Sequence, residues 1–167
     1  VHEQIELLRD LRSAIERHEL ELFYQPKVHA RSGQIAGCEA LIRWRHPVRG
    51  MVSPSVFIPI AERFGLISAL GDWVIDDACR QIRHWMEQGL RMRLAVNLSV
   101  QQMRHEDLVD RIRETLFRHR VEPGLLMFEI TESVMMEDPE MTKAFLARLS
   151  RLGVSTAIDD FGTGHSA

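Results

Sequence analysis

Three features of this 167-residue sequence predict an α/β fold built from parallel βαβ units. After a first amphipathic helix come two strand-like runs separated by a tight turn signal. Beyond them, short and mainly apolar runs alternate with long helical stripes, and the apolar residues of those runs do not keep to every second position. Such runs mark strands covered on both faces, joined by right-handed helical crossovers. No repeat, low-complexity stretch or linker interrupts the pattern, so it reads as one domain.

Ile5, Leu8, Leu11 and Ile15 recur at helical spacing and predict an amphipathic helix over Val1–His18, with Glu3, Arg9, Asp10 and Glu16 on its polar face. Leu20, Leu22 and Tyr24 then alternate up to Gln25 in a strand that Pro26 is expected to terminate. The turn Arg31-Ser32-Gly33 leads into a second strand, Ile35–Trp44, closed by His46-Pro47 and Gly50, and the pair is expected to form a hairpin. A short helix follows over Pro54–Phe64, beginning near a serine and irregular because Pro59 lacks an amide donor. From Ile67 an apolar stripe of Leu70, Trp73, Val74, Ala78, Ile82, Trp85 and Met86 predicts a long helix stopped by Gly89. Leu94–Leu98 reads as a strand, Leu108–Phe117 as a helix and Leu125–Thr131 as a strand. Asp138-Pro139-Glu140 supplies an N-cap, a first-turn proline and an N-terminal acid to a helix ending at Gly153, and Val154–Ile158 is the last strand.

Composition narrows the function. With 45% hydrophobic and 27% charged residues the chain is neither disordered nor short of core. A formal charge of -3 provides no broad basic field, which argues against duplex nucleic acid as a partner. Two cysteines, Cys38 and Cys79, form no disulfide framework and point to a reducing, cytoplasmic setting. No export signal or apolar span of membrane length occurs, and a first residue of Val suggests excision from a longer protein, one with a possible membrane anchor elsewhere. Zinc is disfavoured: the eight histidines contain no H-x-x-x-H pair and the cysteines no C-x-x-C.

The chemistry concentrates where apolar strands end. Glu39 interrupts one strand, Asn97 follows Ala95-Val96, Glu129 follows Met127-Phe128, and Asp159-Asp160 follow Ala157-Ile158. Any one of these acids alone reads equally well as a surface ion pair or helix cap. Together, oxygen ligands from four strands at the carboxyl edge of a parallel sheet suggest a polynuclear site for hard divalent ions, Mg²⁺ or Mn²⁺. A period of two places Glu39, Leu41 and Arg43 on one strand face, so a carboxylate and a guanidinium could line one pocket. Glu129 and Thr131 share a face, with Glu132 on the other.

Four ordered motifs carry a resemblance: Cys38-Glu39-Ala40-Leu41-Ile42-Arg43-Trp44, Asn97-Leu98-Ser99, Glu129-Ile130-Thr131-Glu132 and Asp159-Asp160-Phe161-Gly162-Thr163-Gly164. They resemble the successive motifs of the EAL-domain family, from Tyr24-Gln25-Pro26 onward. The resemblance implies a modified TIM-type β/α barrel that hydrolyses cyclic di-GMP to linear pGpG with two Mg²⁺ or Mn²⁺ ions. By it, Glu39, Asn97, Glu129, Asp159 and Asp160 match metal ligands, with Glu39 and Asp160 central to catalysis. Arg43 matches a contact to the substrate phosphate, Gln25 a pocket-lining position, and Glu132 the acid that steadies the loop after Asp160.

The family pattern continues with a Lys-Ile-Asp strand, a further glutamate and a glutamine that this sequence does not contain. Residues 1–167 are therefore expected to be the first two-thirds of the domain, an incomplete barrel with little activity by itself. The alternative is a noncatalytic module of a larger signalling protein that binds cyclic di-GMP or a protein partner. Homodimerisation and a neighbouring sensory or diguanylate-cyclase domain are also expected by analogy with the family.

Overall fold

The computed structural model describes residues 2–159. Its elements run α1 (His2–Glu16), β1 (Leu20–Val28), β2 (Ile35–His46), β3 (Gly50–Val52), α2 (Pro54–Arg63), α3 (Ile67–Glu87), β4 (Leu94–Asn97), α4 (Val100–Met103), α5 (Leu108–His119), a 3₁₀ turn (Pro123–Leu125), β5 (Leu126–Thr131), α6 (Glu132–Glu137), α7 (Pro139–Leu152) and β6 (Ser155–Asp159). Among the described residues the sheet has the order β1-β2-β4-β5-β6, with the short β3 paired to β2. β1 and β2 form the antiparallel hairpin, while β2, β4, β5 and β6 are mutually parallel and follow one another in chain order. That winding, one helical crossover per parallel strand, describes an arc of a β/α barrel.

Two apolar clusters support the arc. One packs sheet residues Ala40, Leu94 and Phe128 against α3, α5 and α7 through Ile82, Ile112 and Leu149. The other closes the hairpin end, where Leu11 of α1, Phe57 of α2 and Leu70 of α3 surround the fully buried Trp44. Trp44 Nε1 donates to Glu19 Oε1 at 3.1 Å, which satisfies the indole inside this cluster.

Caps at the helix ends match the sequence signals. Ser53 accepts from Ser55 N at the start of α2, Asp138 from Met141 N at the start of α7, and Gly153 ends α7 with φ +93°. Among the described residues no helix is long and apolar enough to cross a membrane.

Several expectations are corrected. β1 runs through Pro26 to Val28, because among the described residues β1 pairs on one side only. The Cys38 amide, opposite Pro26, donates away from β1 to Arg93 O at 2.8 Å, so Pro26 occupies a pair whose missing N–H points out of the ladder. The α1 stripe holds at Leu11, with Leu8 and Ile15 packed against the same cluster, but Ile5 is exposed, and Leu7 and Ala14 are buried in addition. α2 passes through Pro59, since the carbonyl deprived of its donor, on Ser55, is solvent-facing. The core face of α3 includes Ile75 and Cys79, whereas Trp73 and Trp85 are only partly buried. The short β3, α4 and α6 fall where the sequence pattern assigns no element.

Candidate active site

Pleat parity and register bring the candidate residues to one face. In β2, Cys38 and Ala40 face the helices, and Glu39, Leu41 and Arg43 face the opposite way. Across the hairpin Gln25 stands opposite Glu39 and Phe23 opposite Leu41, so β1 presents its odd-numbered residues to the same side. Glu39 is in register with Ala95, Asn97 with Glu129, Glu129 with Ala157, and Thr131 with Asp159. Three parallel strands, β2, β4 and β5, thus carry Glu39, Asn97 and Glu129 to a common face near their carboxyl ends.

The Glu39 and Glu129 side chains are 17% and 7% exposed. Carboxylates this far from water need partners. Asn97 Nδ2 donates to Glu39 Oε2 at 3.1 Å, which leaves the Asn97 amide oxygen as its acceptor atom. Lys27 Nζ donates to Glu129 Oε1 at 2.9 Å and lies 3.9 Å from Glu39 Oε1. The two carboxylates therefore converge on one position, already held by positive charge.

The loops after the strands are tightly held. Leu98 N donates to Glu129 O at 3.0 Å. Ser99 caps α4 through a reciprocal pair: Gln102 N donates to Ser99 Oγ at 3.3 Å and Ser99 N to Gln102 Oε1 at 3.0 Å. The Gln102 side chain lies against Gly71 of α3, where even a Cβ would come within 2.0 Å of its Nε2. On the β5 side, Val134 N donates to Thr131 Oγ1 at 3.2 Å and starts α6.

Beside these loops is a cavity of about 290 Å³ lined by Leu41, Arg43, Asn97, Glu129, Thr131 and Ser133, among others. Arg43 Nη1 donates to Ile42 O at 2.9 Å, and its guanidinium lies 5.4 Å from the Phe23 ring centroid, a cation–π arrangement that steadies it at the cavity wall. The lining mixes apolar side chains with oxygen-bearing groups and a guanidinium, which suits a ligand bearing phosphate.

Of the sequence-predicted residues, Glu39, Asn97 and Glu129 are brought together, Arg43 lines the adjoining cavity, and Gln25 is exposed opposite Glu39. Glu132 opens α6 at the surface, and the loop it was expected to steady lies outside the described residues. Asp159 ends β6 beside Thr131 in register, and Asp160 lies outside the described residues. Among the described residues no group of three His, Cys, Asp or Glu side chains gathers at metal-binding range. The donor chemistry fits Mg²⁺ or Mn²⁺ all the same: the two carboxylates converge on a point that attracts a cation, and the neighbouring Asn97 amide carries a further hard oxygen.

Lys27 is the residue that sequence reasoning missed. Its parity matches Gln25, two positions earlier on the same face, but a strand taken to stop at Pro26 never carried it there.

Comparison with known proteins agrees with this geometry. The family model for the EAL domain matches residues 8–167. The chain is 50% identical over 166 residues to the bifunctional diguanylate cyclase/cyclic di-GMP phosphodiesterase MucR of Pseudomonas aeruginosa, covering 99% of this chain and 24% of that protein. The solved MucR phosphodiesterase in complex with c-di-GMP superposes with a TM-score of 0.90 at 50% identity, over 97% of this chain and 66% of that one. The EAL enzyme Bd1971, in its cAMP- and cyclic-di-GMP-bound form, gives a TM-score of 0.85 at 34% identity, over 98% of this chain and 46% of its own. This chain thus spans about a quarter of the MucR sequence and just under two-thirds of its solved phosphodiesterase chain. With the strand order, the converging Glu39–Asn97–Glu129 set and the family match in agreement, the chain belongs to the EAL domain family.

Proposed function

We propose that this chain supplies the metal-binding and substrate-facing strands of a cyclic-di-GMP phosphodiesterase that opens the cyclic dinucleotide to linear pGpG. The observation that carries the reading is the convergence of Glu39, Asn97 and Glu129 from three parallel strands beside a cavity walled by Arg43. Glu39, Asn97 and Glu129, with Asp159 and Asp160 from the end of β6, would hold two Mg²⁺ or Mn²⁺ ions. Bound there, such ions lower the pKa of a coordinated water and neutralise charge developing at phosphorus.

The chain's own groups do the rest. Arg43 pairs with a phosphate oxygen of the dinucleotide and orients the phosphodiester, its guanidinium held against Phe23. Gln25, opposite Glu39 on β1, would contact the substrate from that side. The Ser99–Gln102 cap and the Thr131 cap hold the ends of β4 and β5, so the ligand oxygens need little rearrangement. Water oxygen adds to phosphorus, the P–O3′ bond breaks, and the departing 3′ oxygen takes a proton, leaving a 5′-phosphate.

The test is chromatographic separation of cyclic di-GMP and pGpG after incubation of the full-length protein with Mn²⁺. Glu39→Gln is expected to lower turnover by about a hundredfold or more, and Arg43→Ala to raise KM while leaving Mn²⁺ affinity unchanged. Dinucleotide binding without turnover in the wild type would assign the chain to the noncatalytic, receptor-type members instead. MucR's own bifunctional name supports a neighbouring diguanylate cyclase in the parent protein, and a homodimer and a cytoplasmic site of action complete the proposal.

A further inference from the structure

We infer that Lys27 is a built-in counter-cation of the Glu39–Glu129 pair, which a divalent ion must displace, so that Lys27 sets the metal concentration at which the site loads. The inference rests on the metal-site part of the reading above.

Its basis is the juxtaposition of one ammonium with two carboxylates from different strands. Nζ lies 2.9 Å from Glu129 Oε1 and 3.9 Å from Glu39 Oε1. Two carboxylates brought this close, one buried and one largely so, repel one another, and one positive charge between them removes most of that cost. Lys27 and a divalent ion cannot share the position, because the ammonium would then face a doubly charged neighbour at a few ångströms.

The lysine is placed to leave. Its side chain is 45% exposed, against 7% for Glu129. It projects from β1 near that strand's end, its cross-strand partner is Gly37, which has no side chain to hold the stem, and the pairing register slips between Lys27 and Val28. A four-carbon stem at a strand end can swing its head into water at small cost. The carboxylates, fixed on β2 and β5, stay behind for the incoming ion.

Two measurements on the full-length protein test this. In the first, Mn²⁺ binding is followed by the electron paramagnetic resonance signal of the free ion. Lys27→Met is expected to tighten Mn²⁺ binding on the order of tenfold, and Lys27→Arg, which keeps the charge, to stay near wild type. Glu129→Gln is expected to abolish the binding. Unchanged or weaker binding in a folded Lys27→Met variant overturns the inference, while wild-type binding that ignores Glu129→Gln overturns the metal-site reading beneath it. The second measurement needs no variant. Acetylation of Lys27, read by peptide mass spectrometry against the chain's other lysine, the exposed Lys143, is expected to rise when Mn²⁺ is added. A ratio that Mn²⁺ leaves unchanged shows that the lysine is not displaced and overturns the inference.

Discussion

Gly71→Ala tests whether the turn after β4 is held from behind. Alanine in a helix interior ordinarily stabilises by about 1 kcal/mol over glycine. Here the new Cβ would lie 2.0 Å from Gln102 Nε2 and 2.9 Å from its Cδ, so the amide must move. That amide is not a loose surface end: Gln102 is 5% exposed and its Oε1 accepts the Ser99 N–H at 3.0 Å. Moving it leaves a buried N–H unpaired, about 1–3 kcal/mol, with some overpacking of about 1–3 kcal/mol besides. Set against the propensity gain, a net loss of about 2–3 kcal/mol is expected, or a fall in melting temperature of roughly 5–10 °C for a domain of this size. Thermal melts of wild type, Gly71→Ala, Gln102→Ala and the double variant form a cycle. Gln102→Ala alone is expected to cost about 1–2 kcal/mol, and on that background Gly71→Ala becomes neutral or mildly stabilising. Equal cost in both backgrounds, or none in the wild type, refutes the proposed contact. Because Asn97 lies just before the Ser99 cap, weaker Mn²⁺ binding should accompany the lost stability.

Two further outcomes follow from pleat parity and burial. Glu39→Gln is expected to remove most Mn²⁺ binding while Cys38→Ser leaves it intact, since Cys38 faces the helical core; titration of both variants checks this, and equal loss in the two would show that adjacent residues do not face opposite sides. Tyr24, the chain's one tyrosine, packs edge-on against Trp85 at 5.4 Å, and burial, reinforced by the nearby Asp77 carboxylate, pushes its phenol up to about 12. The folded state therefore keeps this proton after the unfolded chain loses it near pH 10. The associated stability is intact below about pH 10 and is lost as pH rises toward 12. The difference in 295 nm absorbance between wild type and Tyr24→Phe reads the ionisation directly, and a midpoint near 10 in the folded protein would contradict it.

Much of the site was legible because its signals are local. Alternation along β2 separates Glu39 and Arg43 from Cys38 without knowledge of any other strand, and capping residues such as Asp138 and Gly153 act within their own turn. Register is not local. That Asn97 pairs with Glu129 and Glu39 with Ala95 depends on how helices α3, α5 and α7 pack, and no residue in either strand announces its partner. The α1 face illustrates the same limit: Ala14 is too small to stand out in a hydrophobic stripe, yet it is fully buried, and Ile5 stands out but faces water.

Lys27 shows how one misplaced boundary propagates to function. A proline inside a strand is a stop signal only if its amide would have faced a neighbouring strand, and which way it faces depends on whether the strand is central or at an edge. Nothing within Leu20–Val28 reveals that position. It is set by the Cys38 amide turning toward Arg93, which in turn requires β4 on the far side of β2. Once Pro26 is recognised as sitting in a pair whose amides point out of the β1–β2 ladder, the strand continues, parity carries Lys27 to the face of Gln25 and Glu39, and a half-exposed lysine becomes the charge partner of two largely buried carboxylates. Sheet position thus decides here which residues belong to the site.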